Sequence, residues 1–276
     1  MTASAGPKFA GLSDIGRIRA TNQDSWGVYP DRSLFIVADG VACSTDGALA
    51  AALVVELLPT YVSRHLKPDN LDDEAAADLL GRALVEYCDD FRVFASTDDR
   101  AAGANTTVVA VVVAGSRALV AHLGDSRAYL FRDQRLQQIT RDHSVIQDMI
   151  DAGEVSVEEA ERHPARAILT RHVAMFPRAL PDAAAVDLLP GDRILLSSDG
   201  LHGVVDDPSL AQILDSHPDP AGACEALIEA ALRAGGPDNV TAVVIDTDVN
   251  TDADVNTDAD VDTDADTDAG VDTGGE

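Results

Sequence analysis

From Thr106 to Phe131 the chain passes through three apolar stretches, Thr106 to Ala114, Ala118 to Leu123 and Ala128 to Phe131, with Gly115-Ser116 and Gly124-Asp125 as the turns between them. A parallel crossover needs a dozen or more residues, so strands joined this closely should run antiparallel. Leu34 to Ala38, Leu136 to Ile139, Val186 to Leu188, Arg193 to Ser197 and Thr241 to Ile245 are further short apolar runs and extend the set of strands. Helices are expected over Gly47 to His65, with a kink or break at Pro59, and over Asp73 to Ala95. A third is bounded by Asp219 as cap, Pro220 in the first turn and Gly235-Gly236 at the end. Helical blocks around many hairpin strands predict an α+β fold in which sheets pack together with helices outside.

The 276 residues suffice for a sizeable core. Of the formal charge of −28, the twelve acids from Asp246 to Glu276 carry −12 and leave −16 for the remainder. A surface so acidic, without a basic stripe, excludes nucleic acid and anionic membrane as partners. The near-repeat TDADVNTDADVDTDADTDAG has no aromatic residue and only isolated valines, so residues 247–276 are expected to form a disordered tail beyond a domain at 1–246. Its D-x-D-x-D spacing lacks the glycine turn and closing glutamate of a calcium-binding EF-hand. Cys43, Cys88 and Cys224 have no metal-ligand spacing, no stretch approaches the twenty apolar residues of a membrane span, and no signal-peptide core is present. A soluble, cytoplasmic protein is expected.

The chemistry is concentrated in four aspartates, Asp39, Asp125, Asp199 and Asp238, each at the edge of a run rich in Val, Ile and Leu. Strands of that kind deliver acids to a mouth. Carboxylates gathered there repel one another and are tolerable chiefly around a multivalent cation, for which hard oxygen ligands favour Mg²⁺ or Mn²⁺ over zinc.

In order, the segments GRIRATNQDS, FIVADG, HLGDSRAYLFRDQRLQQITRDHS, ERHPARAILTR, PGDRILLSSDGL and GGPDNVTAVVI resemble the motifs of the bacterial metal-dependent protein phosphatases of type 2C, from about Leu12 to Asp246. The resemblance implies a four-layer α-β-β-α sandwich with two central antiparallel sheets and a metal channel at one end. It also implies hydrolysis of phosphoserine and phosphothreonine on proteins. A phosphomonoester dianion repels hydroxide, and two cations about 3.5–4 Å apart can neutralise the phosphoryl oxygens and lower the pKa of a shared water.

By motif match, Asp39 would bridge two Mn²⁺ or Mg²⁺ ions, the Gly40 carbonyl would complete one shell, and Asp199 and Asp238 would hold the other ion. Asp24 would act through an ordered water, and Asp125 with Asp199 would form a looser third site. Arg19 is the candidate phosphate clamp, because a planar guanidinium grips two phosphoryl oxygens at once, with Arg17 the alternative in register. Asn239 and Asp142 are candidate supports. His143 is read as structural, with a proton-donating role as its alternative. Val145 to Arg166 corresponds to the family's flap.

The chain departs from many relatives at Val41-Ala42-Cys43-Ser44, where they continue Gly-Gly or place a histidine, and at Asn105, where they usually have glycine. Without a flanking Lys, Arg or His, Cys43 reads as a packed thiol rather than a redox switch. The expected partners are phosphorylated proteins made by a serine/threonine kinase, met by a monomer. Two alternatives use the same residues: a phosphatase-fold protein that binds phosphoproteins without turnover, and a small-molecule phosphohydrolase.

Overall fold

The computed structural model describes residues 7–41, 46–160, 162–176, 178 and 180–247. Cys43 and the acidic tail beyond Thr247 lie outside them. In chain order the strands are β1 (Lys8–Asp14), β2 (Asp24–Tyr29), β3 (Leu34–Asp39), β4 (Val108–Ala114), β5 (Arg117–Leu123), β6 (Arg127–Arg132), β7 (Arg135–Gln138), β8 (Asp182–Asp187), β9 (Arg193–Ser197) and β10 (Val240–Asp246). The helices are α1 (Gly47–His65), α2 (Ala76–Thr97), α3 (Val145–Asp151), α4 (Val157–Ala160), α5 (Asp199–His202), α6 (Asp207–Ser216) and α7 (Pro220–Arg233). One sheet has the order β1-β10-β9-β6-β7 and the other β2-β3-β4-β5-β8, and every pairing is antiparallel.

Period-2 alternation explains the layering. Leu34, Ile36, Val108, Ala110 and Leu119 pack against Val54, Leu58, Leu80 and Leu84 of α1 and α2. Their neighbours Phe35, Val37, Val109 and Val111 turn the other way, onto Leu130, Ile194, Leu196 and Val243 of the second sheet. Leu195, Val240 and Val244 on its far face meet Leu210, Leu227 and Ile228 of α6 and α7. Three apolar layers thus hold four structural layers, the α-β-β-α sandwich the sequence predicts.

The differences are local. β1 and β2 form without strong apolar runs, because each pairs with a strand that has one: Lys8 to Asp14 with β10, and Asp24 to Tyr29 with β3. β8 begins at Asp182, ahead of the expected Val186, and pairs with β5. Gly124-Asp125 is not a hairpin turn, since β5 and β6 belong to different sheets and the chain crosses between them there. Gly124 makes that corner at φ +105°, where a Cβ would lie 2.6 Å from the Thr107 side chain, so only glycine fits.

Helix α1 continues through Pro59. Proline lacks the N–H that would reach the Val55 carbonyl, and the Tyr29 hydroxyl donates to that carbonyl instead, at 2.7 Å. Among the described residues the same helix is the one segment long and apolar enough, by length and composition alone, to cross a membrane. It is nonetheless an integral layer of the sandwich, with Ala50, Ala51, Val54 and Leu58 fully buried. α7 starts as expected, the Asp219 carboxylate accepting the Gly222 N–H at 2.9 Å.

Candidate metal centre

The alternation that builds the inter-sheet core also aims polar side chains at one end of it. Asp39 continues the face of Phe35 and Val37, Ser198 that of Ile194 and Leu196, and Thr241 that of Val243 and Ile245. Asp24 lies directly opposite Asp39 across β2 and β3. Asp125 enters from the sheet-crossing corner and Asp199 from the first residue of α5, just past β9. Gly200 lets α5 approach β10 closely: a Cβ there would sit 1.9 Å from the Asn239 carbonyl oxygen. The backbone of Gly40 bridges to Thr106 and its N–H donates to the Gln23 carbonyl at 3.1 Å, which fixes the backbone immediately after Asp39.

The acids are electrostatically crowded. Burial pushes Asp39 well above the usual carboxylate range, and Asp24, Asp199 and Asp125 add to the rise. Asp39 and Asp199 lie within hydrogen-bonding reach of one another. Asp125 is pushed well up by burial and then by Asp199 and Asp142. Asp199 is raised by burial and then by Asp238. Asp24 is raised by burial to about 6 against the pull of hydroxyl donors from Thr241 and Ser198. These carboxylates cannot all ionise together without a cation among them. Asp24 Oδ1 is moreover buried with no hydrogen-bond partner, an acceptor aimed at nothing the protein supplies. The donor set therefore fits hard divalent cations.

The register of the arginines is resolved. Arg19 places Nη2 2.6 Å from Asp238 Oδ2 and keeps 37% of its side chain exposed. Arg17 is turned away, its Nε donating to the Leu232 carbonyl at the end of α7. Asn239 is a strut: its Oδ1 accepts from Gln23 N, and its Nδ2 donates to the carbonyls of Ile15 and Thr21. That fastens the loop bearing Arg19 to the turn bearing Asp238. Arg166, to which sequence reading gave no role, exerts a charge effect on Asp199 from the end of the flap-like segment.

Asp142 is not at the centre of the cluster. Its two oxygens accept a fork from Arg127 at 2.8 and 2.7 Å. Next to it, His143 is fully buried, and its Nδ1 accepts the Gly124 N–H at 3.2 Å. Its proton is therefore on Nε2, which faces Asp182 Oδ2 at 3.1 Å. Burial, reinforced by His122 stacked on it at 4.4 Å, lowers the His143 pKa to about 4. His143 is thus a neutral brace for the Asp125 corner, which argues against the proton-donor alternative.

His122, His143 and Asp182 bring ligand-type atoms within 4.8 Å of one another. The Gly124 bond, however, fixes the tautomer of His143 against metal binding at Nε2, and Arg171 already neutralises Asp182 at 2.6 Å. Asn105 is not at positive φ, so glycine is not required there. Its Oδ1 accepts from Thr106 N and Ala174 N, and its Nδ2 meets His172 Nδ1 at 2.6 Å.

Comparison with known proteins gives this arrangement its family. The protein phosphatase 2C model matches residues 17–234. The serine/threonine protein phosphatase PstP of Mycobacterium tuberculosis is 38% identical over 248 residues, 87% of this chain and 45% of that protein, so the chain spans about half the length of this relative. The serine/threonine phosphatase stp of Listeria monocytogenes is 31% identical over 240 residues, 86% of this chain and 94% of that protein. The solved catalytic domain of PstP in complex with two manganese ions superposes with a TM-score of 0.74 at 32% identity, over 88% of this chain and 98% of that one. By the family model over residues 17–234 and by these relatives, the chain belongs to the protein phosphatase 2C family.

Proposed function

We propose that the protein is a Mn²⁺- or Mg²⁺-dependent phosphatase that hydrolyses phosphoserine and phosphothreonine on proteins, substrates of a serine/threonine kinase. The observation that carries this reading is the convergence of Asp24, Asp39, Asp125, Asp199 and Asp238 on one end of the sandwich, with a buried carboxylate oxygen left unpartnered. The relatives named as serine/threonine phosphatases and the manganese complex support the assignment of substrate and ion.

Asp39, the Gly40 carbonyl, Asp199 and Asp238 would hold two ions, with Asp24 beside them and Asp125 with Asp199 at a third position. When bound, the ions would supply positive charge for the phosphoryl oxygens and lower the pKa of a water. Arg19, anchored through one nitrogen on Asp238 and half open to solvent, is placed to grip the phosphoryl group at the mouth. The carboxylates exclude a phosphate dianion from the site until they are neutralised, so substrate binding is made contingent on the cations. Hydrolysis breaks the bond from phosphorus to the serine or threonine oxygen, and water provides both the new oxygen on phosphorus and the proton on the leaving alcohol. His143, braced and neutral, takes no part.

The test is turnover of a phosphothreonine peptide and of p-nitrophenyl phosphate by the full chain with Mn²⁺, and then with chelator. Metal-dependent release of phosphate from the peptide is expected. Turnover of small esters alone would favour a small-molecule phosphohydrolase, and no turnover of either would sink the enzyme reading.

A further inference from the structure

The two oxygens of Asp24 have different fates. Oδ1 has no partner. Oδ2 accepts two hydroxyls, Ser198 Oγ at 2.7 Å and Thr241 Oγ1 at 2.6 Å, both from the sheet opposite its own. The Ser198 hydroxyl is not free to turn elsewhere. The Ser198 oxygen already accepts the Thr241 N–H at 3.0 Å, so its proton is directed to Asp24. Thr241 Oγ1 lies 2.8 Å from Ser13 Oγ, its cross-strand partner on β1. Ser13 Oγ in turn accepts from Asn22 Nδ2 at 2.8 Å. The Asn22 amide is fixed in orientation because its Oδ1 accepts the Asp24 N–H at 3.1 Å. The Asn22 amide, Ser13 Oγ, Thr241 Oγ1 and Asp24 Oδ2 are thus joined in one hydrogen-bonded chain, with Asn22 donating into Ser13 and Thr241 within reach of both Ser13 and Asp24.

We infer that Ser198 and Thr241 form a two-hydroxyl clamp that saturates Asp24 Oδ2 and commits Oδ1 alone to the metal centre, making them positioning residues for that site. The inference rests on the metal-dependent reading above. A carboxylate in the open can rotate and offer either oxygen, or both. Here the clamp removes that choice, and it does so from β9 and β10 while Asp24 rides on β2, so the same bonds set the spacing of the two sheets at the mouth. Supporting partners of this kind typically change metal affinity by about 10–100-fold. The bond to Asp24 accounts for a hydroxyl at 241 when the inward positions that follow it, Val243 and Ile245, are aliphatic.

The experiment is calorimetric titration of the metal-stripped full chain with MnCl₂, comparing wild type, Thr241→Val, Thr241→Ser, Ser198→Ala and Asp39→Asn, with a thermal melt of each to confirm folding. Thr241→Val keeps the volume and loses the hydroxyl; it should weaken Mn²⁺ binding about 10–100-fold, and Ser198→Ala should do the same. Thr241→Ser, which restores the hydroxyl without the methyl, should return the affinity to within about threefold of wild type, since a retained hydroxyl keeps the bond. Wild-type affinity in Thr241→Val or Ser198→Ala would overturn the clamp, as would a Thr241→Ser variant as weak as Thr241→Val. Should Thr241→Val fail to fold, Ser198→Ala decides alone. A wild-type chain that binds no Mn²⁺ would instead overturn the metal reading itself, a result distinct from a variant that matches a binding wild type.

Discussion

The two ends of β9 treat buried charge in opposite ways. At its start, Arg193 gives Nε to Asp246 at 2.7 Å and Nη1 to the carbonyls of Leu214 and His217. The neighbouring Asp192 accepts from Arg132 twice and from the Leu189 N–H. At its far end the strand runs into Ser198 and Asp199, where acids face acids, with Arg19 paired to Asp238 and Arg166 exerting a charge effect on Asp199. The first end is a finished electrostatic structure; the second is complete only with an ion from outside. Burial is common to both, so burial by itself says nothing about function. What distinguishes the site is an excess of buried negative charge over the counter-charge around it.

The sharpest way to break this comparison is Asp39→Asn. At the mouth, activity and stability should move in opposite directions. Loss of one preorganised electrostatic group should cut Mn²⁺-dependent turnover by about 10²–10³-fold or more. The metal-free protein should meanwhile become more stable, because an amide does not repel Asp24 and Asp199; each kcal/mol gained raises Tm by about 2–4 °C in a domain of this size. Assays with Mn²⁺ and melts with chelator give the two numbers. A variant that is both inactive and less stable without metal would mean that Asp39 is an ordinary structural residue.

At the other end the signs should agree. Arg193→Met leaves Asp246 and the carbonyls of Leu214, His217 and Pro218 without their donor. The expected cost is about 2–3 kcal/mol by denaturant melt, below the about 3–5 kcal/mol of a fully enclosed pair because Asp246 is partly exposed. The affinity of the folded protein for Mn²⁺ should not change. A stability within about 0.5 kcal/mol of wild type, the scale of a surface substitution, would erase the contrast between the ends.

How much of this was legible in the sequence follows from the range of each interaction. The apolar runs and the cap at Asp219 are local signals, and the strands and α7 followed from them. Each mouth aspartate sits in its own short motif, so the acids could be named one by one. β1 and β2 had no such signal, since their strand character comes from β10 and β3, more than 200 and about 10 residues away in register. Ser198 and Thr241 stood in the quoted motifs without any mark of their role, because what they clamp lies 174 and 217 residues upstream. Arg19 and Arg17 were both legible as candidates, and only the packing of Arg17 on the end of α7 separated them.

The pH dependence sharpens the comparison further. Asp24 has a folded-state pKa of about 6 against an ordinary value of 3.8. A raised carboxylate pKa means that the folded state holds its proton more tightly than the unfolded one. Its contribution to stability is therefore full below about pH 4 and is lost as pH rises through about 6. Mn²⁺ replaces that proton. The rise in Tm on adding Mn²⁺ should therefore grow from pH 5 to pH 7.5. The buried histidines push the other way, His143 with a pKa of about 4 costing stability as pH falls from the ordinary histidine range. They act alike with and without metal, so they cancel in the difference. An Mn²⁺ shift that stayed flat or shrank toward pH 7.5 would show that the mouth carries no such proton.

The smallest effect tests whether everything at the mouth is under-satisfied or only its carboxylates. Asn105 lies beside Gly40, its carbonyl accepting the Val41 N–H at 3.0 Å, yet its own amide is well partnered. The glycine that the family resemblance leads one to expect at this position would make a side chain a burden; the backbone here carries no positive φ that would make it one. Asn105→Gly should therefore destabilise. The loss of two N–H acceptor bonds and the added backbone freedom of glycine come to about 1–2 kcal/mol, with Mn²⁺ affinity unchanged. A gain in Tm would mean that the site tolerates Asn105 under strain, and that the boundary between the satisfied scaffold and the ion-dependent mouth lies one residue deeper, at Thr106.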